Sequence, residues 1–518
     1  MTEATRFTGG PIFTGRRYVE SLLLEDGRVV AAGDREAVRR ATPAGAEHRE
    51  LGGALVLPGL IDAHLHVAEL TRMREGLDLS RLDSVEAVVR ALAEYAERHP
   101  KETVLARGWD PERGAERRWP TRRELDRAVP DRPAFVQHVS GHVGVANSAA
   151  LARAGVDRRT ADPPGGRFGR EPDGELDGRV FEAALRPFVA RPDDLHLPSA
   201  EAFQRTGAWA LGLGLTSVGA MSVGPEEADT LAALSSAGRW PIRTRAYLHE
   251  ARWTERGLLP ATPGFAVVGV KAFTDGAFGP RTAWLEAPYA DDPGNAGMSV
   301  ASDEHLHALV VAVAARGLGI ALHAIGDRAL GQALRVLERA PRVGGRPPRI
   351  EHAALTPPAV WPALERVRPA LVVQPGFVWS DRWLGDRLGI DRARWAYAFR
   401  TLRAAGHLLA GSSDAPYDPA DPWRGLAAAV HRTGRDGASA NAAPEGLRPE
   451  EALALYTVEA GRALGSPTLG HLEPGAEGDL LVVGAPTVER AIALGAAGVR
   501  ETWVGGRRVG LGGNGKTV

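Results

Sequence analysis

The feature that most constrains the fold is a repeated alternation of short apolar segments with helical segments. From about residue 200 onward, each apolar segment is followed by Gly, His or Asp, which is typical of consecutive βαβ units in a parallel sheet. One more such segment lies before residue 67, and we place the eight strands at residues 60–66, 213–220, 242–248, 265–273, 319–324, 349–353, 370–375 and 407–413. Eight parallel strands in succession predict an α/β fold, a (β/α)8 barrel of the TIM type.

The segments outside this repeat predict two additions to the barrel. Residues 1–57 and 465–518 contain short apolar runs separated by Gly-rich turns, and we expect them to form one small composite β-sandwich domain. The barrel domain then spans residues 58–464. The stretch between the first two strands is too long for one βα connection, so a large insertion is expected at about residues 68–200. Insertions after barrel strands lie at the catalytic face, so we expect this one to help form the substrate cavity.

Composition limits both the partners and the chemistry. The 63 Lys and Arg residues balance 64 Asp and Glu residues, so the net charge of -1 gives no reason to expect nucleic acid or a membrane surface as a partner. Cysteine is absent, which excludes disulfides and thiolate ligands, so any metal must be bound by nitrogen and oxygen. The first residues lack the apolar region of a signal peptide, and no apolar stretch approaches the ~20 residues of a membrane span. A cytoplasmic protein is expected.

His64 and His66 end the first predicted strand, within PGLIDAHLHV. Residues two apart on a strand point to the same side, so both imidazoles can reach one ion, although two ordinary polar residues at a barrel rim would look the same. Barrel enzymes carry catalytic groups at the carboxyl ends of their strands, and four further residues lie there in the predicted barrel: Lys271, His323, His352 and Asp414. Each of the four residues could by itself be an ordinary structural residue, but their common position at the strand ends favours a single functional site.

These motifs resemble the amidohydrolase superfamily, and within it the branch that is similar to N-substituted formamide deformylase. The resemblance covers nearly the whole chain and includes LPGLIDAHLH, VKAFTDGAFGPRTAWLEAPY, LHAIGDRAL, RIEHAALT, GSSDAPYDPADPW and LEPGAEGDLLVV. The set of motifs is specific for the family but not for a substrate.

The resemblance implies a metal-dependent hydrolase and assigns its ligands. It implies that His64 and His66 bind the more buried ion and that His323 and His352 bind the more exposed one. Asp414 would bind the first ion and the nucleophilic water. Ligands of this kind suit zinc, bound as one or two ions, and iron, manganese and cobalt are alternatives.

Lys271 has two interpretations. In binuclear relatives a lysine after the fourth strand is carboxylated by carbon dioxide into a bridging carbamate, and Lys271 lies on the fourth predicted strand. This role requires the modification, because an ammonium group cannot ligate a cation. The alternative is a lysine that offers charge or a hydrogen bond to the substrate.

Four other residues are candidates for supporting roles. His142 could act as a catalytic residue that hydrogen-bonds the substrate carbonyl or oxyanion, or it could be a structural residue at the rim. Asp275, Asp327 and Glu351 stand beside the ligands in the sequence and could accept hydrogen bonds from metal-bound imidazoles. Asp327 could equally pair with its neighbour Arg328 or cap a helix.

The sequence therefore predicts a hydrolase that acts on a C-N bond other than a peptide bond, in an amide, N-formyl or N-acyl group of a small-molecule substrate. Metal coordination lowers the pKa of bound water toward ~7, and Asp414 could take the proton of that water and pass it to the leaving nitrogen. Two alternatives are an enzyme that deaminates a heterocycle or opens a cyclic amide or ester at the same site, and a metal-free binding homologue. The oligomeric state is left open, and a homodimer is one possibility.

Overall fold

The computed structural model describes residues 3–79, 81–100, 103–109, 111, 115–138, 143–163, 166–189, 197–254, 259–434, 437, 439–441 and 444–510. The chain divides into two compact units, of which the first combines Met1–Leu70 with Ser199–Val518 and the second is Thr71–Pro198.

The described residues form 24 strands, numbered in chain order. Those before the second unit are β1 Ala4–Thr8, β2 Ile12–Phe13, β3 Tyr18–Val19, β4 Ser21–Glu25, β5 Arg28–Gly33, β6 Glu47–Glu50, β7 Leu55–Pro58 and β8 Leu60–Leu65. Those of the second unit are β9 Leu77–Asp78, β10 Val104–Trp109, β11 Ala134–His138, β12 Val143–Ala146, β13 Gly166–Arg170 and β14 Leu176–Glu182. Those that follow are β15 Leu215–Val223, β16 Arg243–His249, β17 Phe265–Phe273, β18 Gly319–Ala324, β19 Arg349–His352, β20 Ala370–Val373, β21 Leu409–Gly411, β22 Leu480–Val483, β23 Val499–Val504 and β24 Arg507–Val509.

The same residues contain 19 α-helices. The first six are α1 Arg35–Ala41, α2 Val67–Glu75, α3 Val85–Arg98, α4 Arg122–Ala128, α5 Ser148–Arg153 and α6 Arg186–Val189. They are followed by α7 Ala200–Gly212, α8 Pro225–Ser236, α9 Asp303–Ala314, α10 Asp327–Glu338, α11 Trp361–Val367, α12 Phe377–Ser380, α13 Leu384–Leu388, α14 Ile390–Ala393, α15 Phe399–Ala404, α16 Pro422–His431, α17 Pro449–Leu455, α18 Val458–Ala463 and α19 Val488–Leu494. Short 3-10 helices occur at Ala183–Leu185, Pro358–Val360 and Gly495–Gly498.

Eight parallel strands form a nearly closed barrel in the order β8, β15, β16, β17, β18, β19, β20, β21. Hydrogen bonds join the two ends of this order. The backbone N–H of Asp414 donates to the carbonyl oxygen of His64 at 2.9 Å, and the Ser413 hydroxyl donates to the Asp62 carboxylate at 2.5 Å. The barrel predicted from the eight apolar segments is confirmed.

A close approach sets the packing of three neighbouring barrel strands. A Cβ atom at Gly269 on β17 would lie 2.6 Å from ring atoms of Tyr247 on β16 and 2.7 Å from the carbonyl oxygen of Gly319 on β18. These distances are too short for a side chain. A glycine is therefore required where the Tyr247 ring crosses the strand.

Strands from both ends of the chain form two further sheets, with the orders β5-β4-β1-β6 and β24-β23-β22-β7-β2-β3. β22 pairs antiparallel with β7, which joins the C-terminal part of the chain to the N-terminal part. The rings of Phe7 and Trp503 meet edge to face with centroids 5.1 Å apart, inside one apolar core that both sheets share. The predicted composite β-sandwich is confirmed.

The second unit follows the first barrel strand in the chain and has its own sheet. Its six strands are ordered β13-β14-β12-β11-β10-β9 and include both parallel and antiparallel pairs. Its helix α3 buries the side chains of Val85, Val88 and Leu92. This sheet was not predicted, because strands such as GRFGR and LDGRVFE combine glycine and arginine without a clear apolar alternation.

Within the described ranges, no helix is both long enough and apolar enough to cross a membrane.

Candidate metal centre

Two imidazoles and one carboxylate converge at the carboxyl end of the barrel strands. His64 lies on β8, His66 follows that strand directly, and Asp414 lies in the turn after β21. Asp414 Oδ1 is 3.1 Å from His64 Nε2 and 3.2 Å from His66 Nε2. One possible ligand atom from each residue lies within 4.8 Å of those of the other two, and all three residues are buried. This arrangement is a metal-binding geometry made of nitrogen and oxygen donors.

A buried ion pair fixes the orientation of His64. Its Nδ1 atom lies 2.6 Å from Glu351 Oε2. Arg349 donates to both oxygens of Glu351, at 2.9 and 3.0 Å, and also to the carbonyl oxygen of Ala63 at 2.9 Å. Its guanidinium lies 4.5 Å from the centre of the Tyr247 ring. Because Glu351 occupies Nδ1, the Nε2 atom of His64 is left facing Asp414, as is usual for a metal-binding histidine.

His323 and His352 lie next to this group. Their ring centroids are 4.4 Å apart, and the His352 ring is 5.2 Å from the His64 ring. His352 Nδ1 lies 2.7 Å from Gln374 Oε1, and His323 Nε2 lies 2.9 Å from the carbonyl oxygen of Gly276. Among the described residues, each ring therefore has one nitrogen in a hydrogen bond and one nitrogen that is available to a ligand.

The backbone is strained at two of these positions. His352 has a φ of 71° and Asp414 a φ of 58°, in the left-handed region that side-chain-bearing residues seldom adopt. Such conformations cost about 1–3 kcal/mol each and are concentrated at functional sites. Both residues end or follow a barrel strand, where the change in backbone direction turns the side chain toward the centre.

Lys271 is buried within the barrel and its amine is unpaired. Its Nζ atom has no hydrogen-bond partner among the described residues, and the residue is 1% exposed. The amine lies 4.6 Å from the centre of the Phe273 ring. Burial lowers the pKa of Lys271 to about 8, although the carboxylates of Glu351 and Asp414 act in the opposite direction. Burial of an amine that has no hydrogen-bond partner carries a desolvation cost.

The charges of the centre are strongly coupled. Burial raises the pKa of Asp414, but His64 and His66 lower it more, so its pKa lies well below the usual range. Burial lowers the pKa of His64, and the carboxylates of Asp414 and Glu351 raise it above the ordinary value. Burial, with the charge of Lys271, lowers the pKa of His352 to about 3. The centre thus combines ionised carboxylates with imidazoles, which is a donor set that suits zinc and other divalent first-row transition metals.

Asp275 holds the turn that follows β18, the strand that carries His323. Its carboxylate accepts hydrogen bonds from the backbone N–H groups of Ile325 at 3.0 Å, Gly326 at 2.8 Å and Trp284 at 2.9 Å. One oxygen lies 3.4 Å from His323 Nε2. Burial raises the pKa of Asp275 to about 7. Asp275 therefore fixes the turn after β18, and its predicted role as an acceptor for a metal-bound imidazole stays a prediction.

Asp327 and His142 were also predicted as site residues. Asp327 begins α10, and its carboxylate accepts hydrogen bonds from the backbone N–H groups of Glu286 and Arg328 at 3.0 and 3.1 Å. Among the described residues it forms no hydrogen bond with an imidazole. His142 lies outside the described residues, so its catalytic role stays a prediction.

Asp62 is a site residue that the sequence analysis missed. It is fully buried and accepts hydrogen bonds from the Ser413 hydroxyl and backbone and from the backbone N–H of His64. It thereby couples the first barrel strand to the turn that carries Asp414, and burial raises its pKa to about 6. Its place two residues before His64 was the available signal, since it puts both side chains on one face of the strand.

The amidohydrolase family model matches residues 48–510 of the chain. The chain belongs to the amidohydrolase family. The "Putative amidohydrolase YtcJ" of Bacillus subtilis (strain 168) is 34% identical over 526 residues, which cover 97% of this chain and 98% of that protein. N-substituted formamide deformylase of Arthrobacter pascens is 27% identical over 505 residues, which cover 91% of each chain.

Solved structures agree with this family. An uncharacterized metal-dependent hydrolase from Pyrococcus horikoshii OT3 superposes with a TM-score of 0.80 at 30% identity, covering 96% of this chain and 100% of that one. A second, from Pyrococcus furiosus, superposes with a TM-score of 0.77 at 31% identity, covering 92% and 97%. The family resemblance predicted from the motifs is confirmed, and this amidohydrolase is a hydrolase of the metal-dependent kind.

Proposed function

We propose that this amidohydrolase hydrolyses a C-N bond, in an amide, N-formyl or N-acyl group, of a small-molecule substrate. The observation that carries the proposal is the buried convergence of His64, His66 and Asp414 beside the unpaired amine of Lys271. The name of the Arthrobacter pascens relative supports an N-formyl substrate, and that relative matches along 91% of both chains.

The donor set fits a divalent cation, which we propose to be zinc. His64, His66 and Asp414 would hold one ion, and His323 and His352 the second. When bound, such an ion acts as a Lewis acid that lowers the pKa of water toward ~7 and polarises a carbonyl oxygen.

Asp414 is proposed to move the proton. One of its oxygens lies between the Nε2 atoms of His64 and His66, so the carboxylate is fixed at the point where these side chains meet. From there it can accept a proton from the attacking water and release it to the departing nitrogen, which leaves as an amine. Glu351 contributes indirectly by holding His64.

We propose that Lys271 carries a carbamate, whose two oxygens would be available as ligands of the metal centre. In its neutral form the buried, unpaired amine can attack carbon dioxide. The C-N bond forms as one carbon-oxygen π bond opens, and the nitrogen loses one proton, which leaves an anionic carbamate. Isotope-labelled bicarbonate should give a carbamate NMR signal that is absent from a Lys271→Met variant, and that variant should bind one metal ion fewer. A wild-type protein that takes up no label would contradict the carbamate.

The proposed reaction is tested with a panel of N-formyl amines, N-acyl amines, lactams and amino-substituted heterocycles. The purified protein is analysed for bound metal, and the release of formate, other carboxylates, amine and ammonia is measured. We expect release of a carboxylate together with an amine. Release of ammonia from the heterocycles alone would show that the enzyme is a deaminase. A protein that remains inactive after reconstitution with zinc, iron or manganese would contradict the proposed function.

Asp414→Asn tests the proton-transfer role, because the amide cannot accept a proton. We expect kcat to fall by at least ~10²-fold. The matched control is Asp303→Asn on α9, which removes a carboxylate from a partly exposed ion pair with Arg335 and should leave kcat unchanged. Retained activity in Asp414→Asn would remove Asp414 from this role.

A further inference from the structure

His249 is a histidine at the barrel mouth that the sequence analysis did not single out. It is the last residue of β16, and it is paired in register with Lys271 on β17. Directly paired residues of adjacent strands carry their side chains on the same face of the sheet. Since the Lys271 side chain is buried inside the barrel, the His249 ring belongs to the inner side of the mouth.

An aromatic ring connects His249 to the centre. The His249 and Phe273 ring centroids are 6.4 Å apart, and Phe273 is in turn 5.3 Å from the His323 ring and 4.6 Å from Lys271 Nζ. Burial lowers the pKa of His249, and the charge of Arg252 lowers it further, while the carboxylate of Glu69 acts in the opposite direction.

A backbone hydrogen bond fixes the tautomer of that imidazole. The N–H of Ala251 donates to His249 Nδ1 at 3.1 Å, so Nδ1 is the acceptor. In a neutral ring the proton must then be on Nε2. Among the described residues His249 Nε2 forms no hydrogen bond, and because the residue is only partly buried this donor is open to a bound molecule.

We propose that His249 is a catalytic residue that donates its Nε2–H to the carbonyl oxygen of the scissile amide. This inference rests on the proposed function. In the barrel order β16 lies three strands from β21, after which Asp414 follows, so a substrate above the centre can contact Asp414 and His249 from different sides. The hydrogen bond strengthens as the carbonyl oxygen becomes an oxyanion, and no proton is transferred.

Two substitutions separate hydrogen bonding from structural support. His249→Leu removes the donor, and His249→Gln supplies an amide N–H near the former Nε2 position. We expect kcat of His249→Leu to fall roughly 10²–10³-fold with little change in KM, because the bond acts mainly in the transition state. His249→Gln should retain a larger part of kcat. Bound metal and the unfolding midpoint should match the wild type in both variants, and exposed His305→Leu is the control expected to keep full kcat.

The outcomes separate this role from the proposed function. A wild type that is inactive on the whole C-N panel overturns both. An active wild type whose His249→Leu variant keeps wild-type kcat overturns only the role of His249. A variant that loses metal or stability in step with kcat also overturns it, because His249 would then be a structural residue.

Discussion

At the scale of single residues, the geometry of His64 depends on Arg349, a cation enclosed in the barrel. Arg349 and Glu351 are at most 1% exposed, and the carboxylate between Arg349 and His64 has no contact with water to compensate for a lost partner. Removing one member of a buried ion pair typically costs 3–5 kcal/mol, since the other charge is left unpaired.

Arg349→Met should therefore lower the free energy of unfolding by about 3–5 kcal/mol. It should also weaken metal binding by roughly 10–100-fold, because Glu351 would no longer be held against His64. Denaturant unfolding measures the first effect, and competition with a chelator measures the second.

Arg335→Met is the control for this prediction. Arg335 pairs with Asp303 on the surface, where both side chains are about half exposed at 55% and 42%. Exposed pairs contribute about 0–1 kcal/mol, so its unfolding free energy should be close to that of the wild type. Equal effects of the two substitutions would show that Arg349 does not organise the centre.

Residues of the centre differ in how visible they are in the sequence. Polar side chains at strand ends, such as His323 and Asp414, stand out because an apolar strand precedes each of them. Asp62 and Gln374 do not, since their importance comes from partners on other strands, Ser413 and His352. Which side chains meet across strands depends on register, which one sequence without relatives does not specify.

At the scale of elements, strand positions were predictable where apolar runs are continuous. The predicted bounds 265–273 and 319–324 agree with β17 and β18, whose buried apolar residues are typical of a parallel sheet. The segment predicted at 407–413 forms only the three-residue β21. Ser412 and Ser413 follow the strand, and their side chains donate to the Val373 carbonyl oxygen and the Asp62 carboxylate. Tertiary contacts of this kind cannot be read from the local sequence pattern.

Gly269 offers a test of barrel packing at the scale of neighbouring strands. Gly269→Ala would push a methyl group into the Tyr247 ring and the Gly319 carbonyl, at 2.6 and 2.7 Å. Overpacking of this kind costs about 1–3 kcal/mol, so the free energy of unfolding should fall by that amount. The control is Gly212→Ala at the end of α7, where no atom lies within 4 Å of the new Cβ and stability should be unchanged or slightly higher. A Gly269→Ala protein with the unfolding free energy of the wild type would contradict the close contact of Gly269 with Tyr247 and Gly319.

Helix α4 of the second unit should show a pH-dependent contribution to stability. Its capping box joins Thr121 to Glu124, and Arg118 donates to both Glu124 oxygens. The hydrogen bonds from Arg118, together with those from Thr121, lower the pKa of Glu124 to about 2. Because the folded pKa lies below the usual ~4.3, the stabilisation is complete above that value and is lost as the pH falls toward about 2.

Glu124→Gln should therefore reduce stability at neutral pH by less than about 1 kcal/mol, since the pair is partly exposed to solvent. The difference from the wild type should shrink as the pH is lowered from about 5 to about 3. Unfolding followed by circular dichroism at several pH values measures this trend. A difference that grows on acidification would contradict the assigned sign.

At the scale of the whole molecule, the two ends of the chain are tied to the barrel and to each other. Arg243 at the start of β16 donates to Asp479 at 2.7 Å and to Glu477 at 2.9 Å, and Asp479 directly precedes β22. This buried pair connects the C-terminal strands to the barrel. The contact between Phe7 and Trp503 connects the same strands to the N-terminal sheet.

The cooperation between the two ends is measurable with a double-mutant cycle on Phe7→Leu and Trp503→Leu. Both side chains are buried in one shared core, at 0% and 4% exposure, so each substitution should lower the free energy of unfolding. Edge-to-face rings contribute about 0.5–1.5 kcal/mol beyond area burial, and the double variant should be less destabilised than the sum of the single variants by that amount. Denaturant unfolding of the wild type, the two single variants and the double variant gives the coupling free energy between the two rings. Energies that add within about 0.3–0.5 kcal/mol would mean that the two sheets do not depend on this contact, and that the strands from either end are stabilised independently.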